Sequence, residues 1–325
     1  MPCTAPPAAE SVALRSVHSF HVGGHCRTLK GLPVSERSMV QGGAPRRVDP
    51  NGDYVLGQMY VQAFRLARPR VALPVLLWHG GGMTGSHWES SPCGGEGWLW
   101  RFLSAGYDTL VSDAAERGRS SWAMYPQLYA EAPFFRTKNE AWEMFRIGPV
   151  GGYASDPGQR IAFDGQQFPV ECFDNFAKQW VPRWAGHDGM ALDAYGALVE
   201  RTGPCVIVAH SQGAGYAAAI AQRYPDMVRA VVAIEPGGMP ARTRQRLPPH
   251  LFIWGDFFDT SHLAWSGYRG LADGYAAAAR FAGSRIDVLD LPRAGIHGNS
   301  HFVMLDRNND AVFHRVIAWL RALGC

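Results

Sequence analysis

The sequence predicts an α/β fold with a mostly parallel central sheet flanked by helices. Three observations point there. Short, nearly continuous apolar runs rich in β-branched residues recur along the chain, at 71–78, 206–208 and 227–234. Runs of this kind are strands buried on both faces, which is the habit of parallel sheets. Stretches of helical character alternate with them, as a doubly wound sheet requires. One run also leads through a turn of small residues, Ala209-His210-Ser211-Gln212-Gly213, into an alanine-rich helix at 217–223. Small residues two before and two after a serine are what a tight strand–turn–helix needs, because larger side chains would collide across it.

Taken in order, residues 1–17 are rich in Pro and Ala and read as loose. Residues 19–24 read as an edge strand closed by Gly23-Gly24, and 41–52 as a loop. Residues 54–66 alternate as a strand does. A turn at 67–70 leads into the central strand 71–78, so this pair reads as the antiparallel start of the sheet. His79-Gly80-Gly81-Gly82-Met83-Thr84-Gly85 follows directly. Successive glycines uncover backbone N–H groups and permit φ > 0, freedom that donors to a developing oxyanion require. A plain glycine turn or a phosphate loop would look similar, but no Gly-Lys-Ser/Thr follows. A helix at 99–105 ends at Gly106, and 107–112 is a strand.

Residues 122–186 break the alternation. The segment is crowded with aromatics, among them Trp142, Phe145, Phe173, Phe176 and Trp180, with short helices expected at 141–146 and 171–180. It stands where a cap over a pocket would stand, and its composition predicts an apolar roof. The chain thus reads as a single domain, 1–325, with 122–186 inserted as a cap. Beyond it come a helix at 191–201, the strand before Ser211, and a strand at 227–234 ending in Glu235-Pro236-Gly237-Gly238. The strand 251–254 ends at Gly255-Asp256. A helix at 271–281, a strand at 286–291, a loop carrying His297, then His301, and an amphipathic helix at 310–323 complete the chain.

Composition narrows the function. A 47% hydrophobic and 18% charged chain is that of an ordinary globular enzyme. A net charge of +3 over 325 residues excludes a strong electrostatic footprint, so no nucleic-acid partner is expected. No run approaches the roughly 18 apolar residues of a membrane span, so no membrane partner is expected either. The N-terminus lacks a basic start followed by an apolar core, which predicts a cytoplasmic location. The six cysteines (Cys3, Cys26, Cys93, Cys172, Cys205, Cys325) show no metal-ligand spacing. Their even number permits disulfides without arguing for them, and Cys205 reads as a small core hydrophobe. Neither metal nor other cofactor is expected, since His79, His87, His297 and His301 lack a ligand spacing as well.

A serine, an acid and a histidine, each following a strand in that order, form the triad order of an α/β-hydrolase. Serine is a weak nucleophile at neutral pH, so a base must take its proton, and a carboxylate must orient that base. Ser211 is the candidate nucleophile. His301, set among small and turn-forming residues, is favoured as base over His297. Glu235 ends the strand just after the elbow helix, and spacing alone does not choose between it and Asp256, though Asp256 occupies the usual acid position and the reading of the residues leans to it. The predicted activity is hydrolysis of a small-molecule ester. A lactonase, thioesterase, amidase or acyltransferase with the same triad is the alternative, and a non-catalytic binding protein of the same fold is the reading from another class.

Several stretches carry a resemblance: Gly57-Gln58-Met59-Tyr60-Val61, His79-Gly80, Thr84-Gly85, Trp88-Glu89, Arg117-Gly118-Arg119-Ser120 and Phe145-Arg146. Gln167-Phe168-Pro169-Val170, His210-Ser211-Gln212, Glu235-Pro236-Gly237 and Gly295-Ile296-His297-Gly298-Asn299-Ser300-His301 extend it. On these the chain resembles a small family of bacterial esterases with the α/β-hydrolase fold whose acid is a glutamate after the sixth strand. The resemblance implies Ser211 as nucleophile, His301 as base and Glu235 as acid, with Asp256 the alternative. It implies an oxyanion hole of the Gly81 and Gln212 N–H groups, and makes a homodimer plausible. The chain departs from the family in having Gly81-Gly82 where adjacent cysteines stand, and Gly213 where a serine does.

Overall fold

The computed structural model describes residues 11–241, 245–259 and 264–325. The chain opens with β1 (Leu14–Leu29), a two-stranded ribbon of β2 (Ser35–Arg37) and β3 (Arg46–Val48), then β4 (Gly52–Leu66) and β5 (Val75–Trp78). Helices α1 (Ser86–Glu89) and α2 (Trp98–Ser104) precede β6 (Thr109–Asp113), and α3 (Lys138–Met144) and α4 (Phe173–Ala177) lie in the aromatic segment. Then come α5 (Asp188–Thr202), β7 (Cys205–His210), α6 (Gln212–Arg223), β8 (Val228–Ile234) and β9 (His250–Trp254). The chain closes with α7 (Ala264–Phe281), β10 (Ile286–Asp290) and α8 (Asn309–Ala322). Of the N-terminal stretch expected to be loose, residues 1–10 lie outside the described residues.

Eight strands form one sheet in the order β1-β4-β6-β5-β7-β8-β9-β10. The six from β6 to β10 pair in parallel, while β4 pairs antiparallel with both β1 and β6. This is the α/β-hydrolase fold. Two expectations are corrected here. The strand at 54–66 has β1 and β6 as neighbours and not the strand that follows it, because residues 67–74 carry the chain past the N-terminal end of β6, with Arg70 and Val71 donating to the Gly106 carbonyl. The first strand also runs straight through Gly23-Gly24. Gly23 is a point of close approach and not a turn: a methyl group on it would sit 2.9 Å from the Ala194 Cα of α5.

The strand period of two sorts the core into two layers. Val75, Leu77, Val206, Val208, Val232 and Ile253 face one side and pack with α2 and α8 through Trp98, Phe102, Phe313 and Val316. Leu76, Trp78, Ile207, Ala209, Val231 and Phe252 face the other, against α5, α6 and α7. Alanines dominate α6 and α7 there (Ala214, Ala217, Ala218, Ala276, Ala279), which lets the helices lie close on the sheet. The aromatic segment belongs to the first layer: Trp142, Phe145, Phe168, Phe173 and Phe176 are buried in the same cluster as the strands. A disulfide between Cys93 and Cys172 ties that segment to the loop after α1. Cys26, Cys205 and Cys325 are free, and Cys205 is buried as a small core hydrophobe.

Candidate active site

The C-terminal edge of the parallel strands gathers the candidate residues, each at the end of its own strand. Between β7 and α6, Ser211 holds φ 53° and ψ −121°, a conformation that costs a non-glycine residue about 1–3 kcal/mol. Its surroundings over-determine it. The Ser211 N–H donates to the Ile234 carbonyl at 2.8 Å. A methyl group on Gly213 would overlap the His79 carbonyl, one on Gly80 would sit 2.9 Å from the Ser211 Cβ, and one on Gly237 2.9 Å from its Oγ. The small residues of the motif are therefore a packing requirement of the turn.

Gly81 and Gln212 line the same cavity of about 270 Å³ as Ser211 and His301. Gln212 is the first residue of α6, so its N–H has no acceptor within the helix and carries the positive end of the helix dipole. Among the described residues neither this N–H nor that of Gly81 is given to an acceptor. Of the three glycines, it is Gly82 that takes a positive φ, 71°. Gly81 is glycine for another reason: a side chain there would overlap the guanidinium of Arg183.

The structure brings Glu235, and not Asp256, to His301. Glu235 is fully buried at the end of β8, with its Oε2 3.2 Å from the His301 Nδ1. Its Oε1 accepts from the Arg146 Nη2 at 2.7 Å and from the Gly255 N–H. Gly255 is needed for this, since a methyl there would lie 2.8 Å from the Ser300 carbonyl oxygen. Asp256 turns the other way. Its carboxylate accepts from the N–H groups of Phe257 and Gly298, and its Oδ2 is 3.9 Å from the exposed His297.

His301 is held on every side. Its ring lies against Trp265, centroid to centroid 4.2 Å, and stacks on Phe145 at 5.6 Å. Its N–H donates to the Phe145 carbonyl, and its own carbonyl accepts from the His210 Nε2 at 2.9 Å. Burial pushes the imidazole well below the ordinary histidine range, and the charges of Arg146 and Arg136 push it the same way. The ring is thus neutral near pH 7. With a carboxylate at Nδ1 holding the ring proton there, the Nε2 lone pair is free to accept. The loop carrying His301 is anchored by Asp306, whose Oδ2 accepts from the Ser300 N–H (2.8 Å) and the Asn299 amide (3.0 Å), and whose Oδ1 accepts from the Ser300 hydroxyl (2.7 Å).

Sequence reasoning gave Arg146 no role. It is completely buried, paired with Glu235, bonded through Nε to the Asp256 carbonyl at 2.7 Å, and roofed by the Phe258 and Trp265 rings. The signal was its place in the Phe145-Arg146 stretch that carries the resemblance. The apolar roof is also corrected. Arg136 and Arg183 line the cavity beside Phe145, Trp184 and Trp265, while Trp142, Phe168, Phe173 and Phe176 of this segment are buried in the sheet core.

Fold and site geometry define an α/β-hydrolase. Across 99% of both chains this one matches the atomic-resolution structure of a bacterial esterase, with a TM-score of 0.82 and 28% identity. It is 24% identical to a protein of Fungal sp. (strain ATCC 74256) named a probable secreted lipase, phiG, over 83% of this chain and 87% of that one. No protein-family model matches the chain. The chain is a hydrolase of the esterase and lipase kind. The cytoplasmic expectation is overturned by the fungal relative, which is named as secreted. That expectation rested on the N-terminal residues alone, which say nothing of a cross-link such as Cys93–Cys172. Among the described residues, no helix is long and apolar enough to cross a membrane.

Proposed function

We propose that the chain hydrolyses small-molecule carboxylic esters through an acyl-enzyme, with Ser211 as nucleophile, His301 as general base and Glu235 as the acid that orients it. The Ser211 oxygen attacks the ester carbonyl while the His301 Nε2 takes its proton. The tetrahedral oxyanion is received by the N–H groups of Gly81 and Gln212, where losing one such donor typically costs about 10²–10³ in rate. The imidazolium then protonates the leaving alcohol as the C–O bond breaks. Water, deprotonated by His301, attacks the acyl-enzyme in turn, and the carboxylic acid departs as Ser211 regains its proton. Residues 122–186 serve as the cap over this pocket.

One conjunction carries the reading. A serine in a left-handed elbow, two uncommitted backbone N–H groups and a buried neutral histidine backed by a carboxylate open on a single cavity. The similarity to an esterase along the whole chain supports it. A disulfide and a relative named as secreted support work in an oxidising compartment.

The test needs no knowledge of the substrate. A fluorophosphonate should add once to the wild-type protein by intact mass and not at all to Ser211→Ala. The same variant should lose turnover of a simple aryl ester by about 10⁶. An unlabelled, folded wild type, or a variant within tenfold of it, overturns the proposal.

A further inference from the structure

The two arginines in the roof differ in what they touch. Arg136 is nearly buried, pairs with Glu140, and lies over the Phe145 ring at 5.1 Å. Arg183 lies over the Phe134 ring at 4.9 Å, and among the described residues no carboxylate comes within 4 Å of it. Its Nη1 rests on the open face of Gly81, so the guanidinium borders the point where an ester oxygen would meet the Gly81 N–H. Asp188 also lines the cavity, but its carboxylate accepts from the Tyr216 hydroxyl and, at 3.4 Å, from the Gln212 amide. A partly desolvated guanidinium without a counter-ion, set on a cavity wall, is satisfied best by an anion that the cavity receives. Its planar fork matches a carboxylate in bidentate fashion.

We propose that the preferred substrate carries a free carboxylate a few bonds from the scissile carbonyl, and that Arg183 binds it. The chemical class is the half-ester of a dicarboxylic acid. One guanidinium is left over, since Arg136 is matched by Glu140, and this suits a single negative charge better than a phosphate dianion. A cavity of about 270 Å³ suits a short diacid chain. The inference rests on the esterase reading of the same site.

The experiment compares monomethyl with dimethyl esters of succinic, glutaric and adipic acids, reading methanol release. The wild type should show a higher kcat/KM for the monomethyl member of at least one pair. Arg183→Gln should lower that monomethyl-to-dimethyl ratio by about 10- to 100-fold, the range for a charge-assisted bond, and Arg183→Lys by less. A wild-type preference for the dimethyl member in every pair overturns the proposal. So does an Arg183→Gln that slows both members equally, since that is how an arginine serving only the oxyanion would behave. A second measurement requires no turnover. Calorimetry on Ser211→Ala should show the preferred monomethyl ester binding, and adding Arg183→Gln should weaken that binding by a similar factor. Binding that is absent, or indifferent to Arg183, overturns the proposal. Arginine-dependent binding in a protein that hydrolyses nothing upholds it and sinks the esterase reading instead.

Discussion

Replacing Arg146 with methionine tests the buried ion pair beneath the site. Both partners are fully excluded from solvent, and the Nη2–Oε1 distance is 2.7 Å. Methionine fills most of the volume between Phe258 and Trp265 but leaves the Glu235 carboxylate without its countercharge and the Asp256 carbonyl without its donor. Removing one member of a buried pair typically costs about 3–5 kcal/mol, because the stranded charge keeps its desolvation penalty. The second lost bond keeps the expectation at the upper end of that range, since hydrogen bonds to charged groups are worth about 1.5–3 kcal/mol. Urea denaturation followed by tryptophan fluorescence reads it. The control is the double variant Arg146→Met/Glu235→Gln, which should be more stable than Arg146→Met alone because the stranded charge is gone. Arg146→Met within about 1 kcal/mol of wild type would refute the reasoning. So would a double variant whose loss equals the sum of the two singles.

Three further outcomes are expected. Glu235→Gln should lose far more turnover than Asp256→Asn in steady-state kinetics, since only Glu235 reaches the His301 ring, and the reverse ranking moves the acid to Asp256. Burial raises the Asp306 carboxyl from 3.8 to about 7, so the folded protein holds a proton there that the unfolded chain has released. Its stabilising contribution is present below about pH 4 and is lost as pH rises through 7. Asp306→Asn removes that slope, and the stability difference should move in the variant's favour by about 2–3 kcal/mol between pH 5 and pH 7; a gap that stays constant in urea titrations at the two pH values counts against it. Replacing Cys93 and Cys172 with alanine releases a cross-link 79 residues apart in sequence, and should cost about 2–5 kcal/mol. A denaturation midpoint unchanged by the double replacement, or by reductant, would show that the bond adds nothing.

What could be read from the sequence was local. The strand before Ser211, the turn and the start of α6 follow from neighbouring residues, since β-branched packing and the crowding around Gly213 act within a few positions. The alternation of layers was legible because strand periodicity is local as well. Glu235 against Asp256 was not decidable from spacing, and only the resemblance favoured the glutamate. The choice turns on backbone direction after β8, where Glu235 takes φ 50°, and on the room left by Gly255. Arg146 meets Glu235 across 89 residues and Cys93 meets Cys172 across 79, and no pattern in one stretch announces a partner so distant. The sheet order escaped for the same reason, because the place of β6 between β4 and β5 is set by pairing and not by sequence adjacency. The arginines of the roof were hidden by their own neighbours. A block dominated by aromatics predicts an apolar wall only if those rings face the cavity, and Trp142, Phe168, Phe173 and Phe176 are buried in the sheet cluster instead.

The aromatic segment shares one cluster of side chains with the strands and α8, and a disulfide fastens it near Cys172. Lifting it as a unit would uncover Phe168, Phe173 and Phe176 together, at roughly 1.5–3 kcal/mol for each buried ring. An entrance walled this way is expected to keep one aperture in water and at an oil surface alike. The rate is then expected to follow the free monomer concentration of an ester through the onset of micelles, without the gain in speed that a cover swinging open on a droplet would bring.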